Sequence, residues 1–300
     1  METVILADAY KERRCEALMV SKVALVEFDG SPKESLVHAF ELIGKIDDLN
    51  SSQRSVVVKV GVFDHKTENH TTVNVLDAII SCFSKGPRIY VAESDNYRGK
   101  GLERLQIWKE LFTKRVVPFN LSDDPDTKRV KIADEEMNFS HILFKPNVFV
   151  STHILRGFEK GSIIKNLFGL VPDPKKARFH KKLDAALLDA YEAIGGIDLA
   201  VLDGTYLYRG VAAMPHATKD SAKYRTETNT LVVGRDAVAV ETVGAALAGL
   251  KPEKMTVIQE AVKRGLGEGD LGRIEIVGSS FEDMKEKCSS AAKAFKGKKK

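Results

Sequence analysis

The chain has 300 residues, 43% of them hydrophobic and 29% charged, enough apolar content to bury a large core as one domain or two lobes. The formal net charge is +4, and Lys293, Lys296, Lys298, Lys299 and Lys300 gather five positive charges in the last eight residues. The rest of the chain is close to neutral, which argues against a dedicated nucleic-acid surface and leaves only weak association through the basic tail 293–300. Cys15, Cys82 and Cys288 stand far apart and form no CxxC pair. No disulfide framework, iron–sulfur cluster or structural zinc site is therefore expected. The opening METVILADAYKERR lacks the apolar core of a signal peptide, and no uncharged run approaches the roughly 18–20 residues of a membrane span. The expectation is a cytoplasmic protein with no membrane partner.

In chain order, Lys22–Phe28 is a short β-type run closed by Asp29-Gly30, and Ser31-Pro32 opens a helix with Leu36, Phe40 and Ile43 on one face. Ser55–Phe63 is the strongest strand, nearly all β-branched or apolar, as expected when both faces are covered. Lys59 interrupts it, so that lysine points somewhere particular or the strand lies at an edge. A helix follows from about Thr72 to Phe83, then a strand Arg88–Ala92, a helix from about Leu102 to Phe112 and a strand Val116–Phe119. Short β segments are expected near Lys128–Ile132 and Ile142–Val150. The pattern resumes with a helix near Lys182–Ile194 and a strand Asp198–Leu202, then a polar, mobile loop over Pro215–Thr228. It ends with a strand Thr230–Val233, helices Ala237–Leu250 and Pro252–Arg264, a strand Arg273–Val277 and a helix Phe281–Phe295. This repetition predicts an α/β unit spanning 1–300, with a mainly parallel or mixed sheet and helices on both faces.

In such sheets ligands collect beyond the carboxyl ends of the strands. Those ends offer His65 and His70, Glu93-Ser94-Asp95, Lys145 and Asn147, Ser151-Thr152-His153, Asp203-Gly204, and Arg235-Asp236. The inventory suits acid–base work, metal ligation or anion binding. Simpler roles compete at several positions. Asp203-Gly204 can be a turn, Asp236 a helix cap, His70-Thr71-Thr72 a helix start, and Glu93-Ser94-Asp95 the cap of the next turn. The segment His141–His180 concentrates the unexplained cations and amides: Lys145, Asn147, Lys165, Asn166 and the two histidines His153 and His180. Lysine and asparagine are rarely buried without partners, so either an anionic ligand or an internal ion pair is implied. Gly267–Gly272 matches G-x-G-x-x-G but follows a helix and precedes a strand, the reverse of the dinucleotide order, so its glycines are turn residues. No P-loop, nucleophile elbow or HExxH is present.

KPNVFVSTH, KNLFGLVPDPKKARFH, DLAVLDG and GRDAVAVETVGAALAGL, with the closing GLGEGDLG, form a pattern that resembles the family catalogued as domain of unknown function 362, from roughly Val56 to Val277. The matched positions are Lys145, Pro146, Asn147, Lys165, Asn166, Gly169, Lys176, His180, Asp203, Gly204 and Asp236. Many members carry a ferredoxin-like module with clustered cysteines, which this sequence lacks. The family is also distantly similar to nickel-pincer lactate racemases, which use His and Lys on an α/β scaffold, although nothing in the spacing here shows that cofactor. The combined expectation is an enzyme acting on a small carboxylate or phosphate. Lys145, Asn147, Lys165, Asn166, His70, Glu93 and Asp95 would bind it, and His153, His180 and Asp203 would carry acid–base chemistry or ligate a divalent metal. A noncatalytic metal- or cofactor-binding accessory protein is the alternative. Lys145, Asn147, Lys165, Asn166 and at least one of His153 and His180 should face a common cleft, with Asp203 at its wall.

Overall fold

The computed structural model describes residues 20–209 and 225–297, with side chains through residue 289. Ten strands occur among them: β1 (Lys22–Glu27), β2 (Ser55–Val60), β3 (Ile89–Glu93), β4 (Val116–Asn120), β5 (Thr127–Ile132), β6 (Glu135–Ser140), β7 (Asn147–Arg156), β8 (Leu199–Tyr208), β9 (Arg225–Gly234) and β10 (Glu275–Gly278). Eight of them make one sheet in the order β10-β1-β9-β8-β7-β2-β3-β4, while β5 and β6 form a separate antiparallel hairpin. Every pairing in the large sheet is parallel except the two made by β9.

Both faces of the sheet are covered, and strand periodicity assigns side chains to them. Val56, Val58, Val60, Val148, Val150 and Val201 share one core with the helices α1 (Pro32–Leu42) and α2 (Val73–Cys82) and with Trp108. Val57, Phe149, Ala200 and Leu202 face the other core, built with α4 (Leu183–Ala193), α5 (Ala237–Leu247), α6 (Thr256–Lys263) and α7 (Phe281–Gly297). Every residue of α5 is buried, in keeping with its almost continuous apolar sequence. The helix expected after Leu102 is a single turn, α3 (Gly101–Leu105), continued as a 3₁₀ segment over Gln106–Leu111.

The connections locate a crevice at the carboxyl ends of two central strands. From β2 the chain crosses through α2 on one face and moves outward to β3. From β7, which lies beside β2, it crosses on the opposite face through 3₁₀ turns (Lys165–Leu170, Lys176–Lys182) and α4 to β8. Adjacent parallel strands whose crossovers leave on opposite faces open a crevice between their carboxyl ends, the switch-point geometry of open α/β sheets.

Two sequence expectations change here. The run Ile142–Val150 is not one β segment. His141–Leu143 is a 3₁₀ turn, and β7 begins at Asn147 and runs ten residues to Arg156. Of the loop expected over Pro215–Thr228, residues 215–224 lie outside the described residues, and Arg225–Thr228 already belong to β9. No helix among the described residues is long and apolar enough to cross a membrane.

Candidate functional site

The β2–β7 crevice holds a cavity of about 300 Å³ lined by Lys59, Arg104, Arg156, Lys165 and Lys176, by the single carboxylate Glu93, and by His153, His180 and Asn166. Phe63, Tyr97, Phe158 and Phe168 supply aromatic walls. Register explains how the sequence brings these together. Lys59 pairs with Ser151 across β2 and β7, on the same face as Val57 and Phe149. One further step of two residues on that face reaches Gly61 and His153. A Cβ on Gly61 would lie 1.9 Å from His153 Cδ2. Glycine is therefore what lets the imidazole fold across the end of β2.

The buried polar floor is a network with its donors committed. Lys59 Nζ donates to Glu93 Oε2 (3.0 Å), Asn166 Oδ1 (2.9 Å) and the Val60 carbonyl (2.7 Å), and the side chains of Lys59 and Glu93 are only 1% and 4% exposed. Burial lowers the proton affinity of Lys59, and the Glu93 charge opposes that effect. Asn166 Nδ2 donates back to the carbonyls of Lys59 (2.8 Å) and Thr152 (3.0 Å) and to Ser151 Oγ (3.2 Å), tying the 3₁₀ turn to both strands. Gly169 covers the ion pair so closely that a Cβ there would lie 2.4 Å from both Glu93 Oε1 and Lys59 Nζ. Arg104 donates to the carbonyls of Val62 and Ser94. Lys176 Nζ donates to Ser94 Oγ (2.7 Å) and to the carbonyls of Val171 (2.7 Å) and Phe168 (3.3 Å). Burial pushes the Lys176 ammonium down to about 7.

Three groups on the cavity wall keep capacity for a ligand. Lys165 Nζ lies 4.3 Å over the Phe168 ring and has no hydrogen bond or ion pair with a described residue. Burial, then the charges of Arg156, Lys176 and Lys59, hold it well below the usual lysine range, with Glu93 opposing weakly. His153 Nδ1 is 3.0 Å from the Ile154 carbonyl, which can only accept, so Nδ1 carries the hydrogen and Nε2 the lone pair. Burial, and then the neighbouring Arg156, keep this imidazole well below its ordinary range and hence neutral. Arg156 donates from Nη2 to the Gly161 carbonyl (3.0 Å), while its buried Nε has no partner.

The structure thus gathers Lys165, Asn166, His153, His180 and Glu93 from the sequence expectation and places the others elsewhere. Lys145 is exposed and paired with Asp126 (2.7 Å), and Asn147 Nδ2 donates to the carbonyls of Ile142 and Lys145. Both sit at the amino end of β7, where Asn147 pairs with Ser55, the first residue of β2. Ten strand residues at about 3.3 Å each put Asn147 roughly 30 Å from Arg156. Asp95 accepts from Gly101 N and Asn120 Nδ2 (both 2.8 Å) and pairs with Lys100, holding the turn after β3. His70 Nδ1 is 2.9 Å from the Thr71 carbonyl and its ring packs edge-on against Trp108.

Asp203 does not wall the cavity. It pairs in register with Ile154, one residue past His153, and the two-residue strand period turns it to the opposite face. There its carboxylate accepts from Thr72 N and Oγ1 (both 2.7 Å) and from Thr205 N and Oγ1 (2.9 and 2.6 Å), anchoring the start of α2. Asp203→Ala should therefore cost about 2–3 kcal/mol in urea unfolding, the range for losing hydrogen bonds to a charged group. It should leave anion binding at the cavity intact. Loss of anion binding at unchanged stability would return Asp203 to the site.

The expected metal set of His153 or His180 with Asp203 is likewise not assembled. Among the described residues no group of three or more His, Cys, Asp or Glu stands close enough to hold a metal ion. The donors at the cavity do not fit a divalent cation. Glu93 already accepts from Lys59 and from Ser94 N (2.9 Å), and five basic side chains line the same space.

Sequence reading missed Arg104, Arg156 and the aromatic walls, and it reached Lys176 only through the family pattern. The oddity of Lys59 inside an apolar strand was visible, but its destination was not.

Comparison with solved structures gives a weak likeness to the lactate racemase apoprotein from Thermoanaerobacterium thermosaccharolyticum. The two chains are 10% identical, and the match covers 72% of this chain and 54% of that one, at a TM-score of 0.42. The chain thus spans about half the length of that protein, and the likeness carries no functional argument. No curated protein matches. The family model described as Domain of unknown function (DUF362) matches residues 56–246, nearly two thirds of the sequence, and the chain belongs to that family.

Proposed function

We propose that the chain is an enzyme that takes a small carboxylate or phosphate into the β2–β7 cavity and moves a proton on it between Lys165 and His153. One observation carries this reading. Lys165, an amine with no hydrogen-bonding partner among the described residues, stands in a cavity with four other basic side chains and one committed carboxylate. Such a site is short of negative charge, and an anion supplies it. Arg156, with a buried unpartnered Nε, is the fixed cation beside it. Burial disfavours the protonated forms of both Lys165 and His153, which suits them to proton transfer, because each accepts a proton more readily once an anion has entered.

The same electrostatics give a test. The ammonium form of Lys165 is disfavoured by burial and then by Arg156, Lys176 and Lys59, and a bound anion offsets that repulsion. Phosphate or propionate binding should therefore draw a proton from solvent at pH values above the lowered proton affinity of Lys165 and below about 10.4, the ordinary lysine value. Calorimetry in two buffers of different ionisation enthalpy reads this uptake directly. It should disappear in Lys165→Met, which keeps the stem and removes the amine. Binding whose heat is the same in both buffers, or unchanged in the variant, would move the anion away from Lys165.

A further inference from the structure

The geometry points to a substrate with a carbonyl group as well as an anionic one: we propose that Lys165 Nζ forms an imine with a 2-oxo acid bearing an apolar substituent. This rests on the anion-binding reading of the same cavity and narrows it to a chemical class.

The cavity distinguishes its three lysines. Lys59 Nζ and Lys176 Nζ each donate to three acceptors within 3.3 Å, so their lone pairs are unavailable for attack. Lys165 Nζ has no such acceptor among the described residues, lies against an aromatic face and opens on the cavity. Burial, and then the surrounding cations, also favour the neutral form that attacks carbonyl carbon. Arg156 provides a fixed charge for a carboxylate, with its Nε unpartnered and its guanidinium 5.2 Å from the centre of the Phe158 ring. Phe63, Tyr97, Phe158 and Phe168 give the rest of the wall an apolar character that a bare inorganic anion does not use. At about 300 Å³ the cavity has room for a group of phenyl size beyond the oxo acid.

The step balances with the groups present. The Nζ lone pair attacks the carbonyl carbon as the carbon–oxygen π pair moves onto oxygen. The nitrogen then gives one proton to His153 Nε2, whose lone pair is free because Nδ1 donates to Ile154. The oxygen leaves as water with two protons, one returned by His153 and one from solvent, while the nitrogen lone pair closes the C=N bond as a protonated imine. No oxidant, reductant or metal is needed. The resulting cation withdraws electrons from the adjacent methylene carbon, which makes loss of a proton there the accessible chemistry, the released pair moving into the C–N bond to give an enamine.

Phenylpyruvate, and 3-phenylpropionate as its carbonyl-free counterpart, test the proposal on the full chain. Sodium borohydride added with phenylpyruvate should leave one reduced adduct in the intact mass, placed on Lys165 by peptide mapping. The adduct should be absent from Lys165→Met and Lys165→Arg, and 3-phenylpropionate should compete it at least tenfold. Circular dichroism of both variants should match wild type. Binding of 3-phenylpropionate without any phenylpyruvate adduct would overturn the imine and leave the anion site standing. Binding of neither compound would overturn both. An adduct on Lys59, Lys176 or a surface lysine would overturn the assignment to Lys165.

Discussion

Lys59→Ala is expected to cost roughly 3–5 kcal/mol of stability, the usual result of removing one partner from a buried ion pair. The Lys59 and Glu93 side chains are almost fully enclosed, and Lys59 also serves Asn166 Oδ1 and the Val60 carbonyl. Truncation leaves a carboxylate without its main counter-charge and two acceptors without a donor, in a place water reaches poorly. Much of that cost is the stranded charge, so Lys59→Met combined with Glu93→Gln should recover part of it. Urea unfolding of the three proteins reads the effect as a shift in midpoint at similar slope. A loss below about 1 kcal/mol for Lys59→Ala would mean that the pair is solvated and the floor of the cavity mobile.

Lys165→Ala should do the opposite. Its amine satisfies no carboxylate, so its removal strands nothing, and the repulsion it feels from Arg156, Lys176 and Lys59 disappears. We expect stability to hold or rise, and the stabilisation of the wild type by phosphate or propionate to vanish. The pH dependence gives an independent check. The unfolded chain keeps its lysines protonated to about 10.4, whereas folding lowers the proton affinity of Lys165 and brings Lys176 to about 7. Between those limits the unfolded state binds more protons, so wild-type stability climbs as pH rises from about 7 towards about 10.4. The penalty is fully present below the folded value and gone above the unfolded one. Removing Lys165 should flatten the climb, and Lys176 should sustain what remains. Thermal melts at several pH values, with and without phosphate, decide the outcome. A large loss of stability in Lys165→Ala with an unaltered response to phosphate would remove Lys165 from the site.

Lys59 and Lys165 embody the two explanations that the sequence left open for an unexpected lysine near apolar runs. One belongs to an internal ion pair, and the other opens on the cavity against the Phe168 ring. Composition cannot separate them, because the separation depends on which carboxylate the fold carries to each nitrogen. Glu93 reaches Lys59 from β3, 34 residues away, and Asn166 reaches it across 107 residues.

The sequence by itself determined the layered α/β architecture, because its strands are short, apolar on both faces and separated by helical periods, which only a covered, mostly parallel sheet can bury. It also singled out His153, Lys165, Asn166 and His180, polar types rarely buried in apolar surroundings without partners, and these four line one cavity. Tertiary structure decided the rest. Strand length fixed which end of β7 meets the crevice, separating Lys145 and Asn147 from it. The two-residue period sent Asp203 to one face and His153 to the other, and the opposed crossovers from β2 and β7 opened the space between them. These outcomes depend on register and connection, where a shift of one residue reverses every side chain, and no local stretch of sequence carries that information.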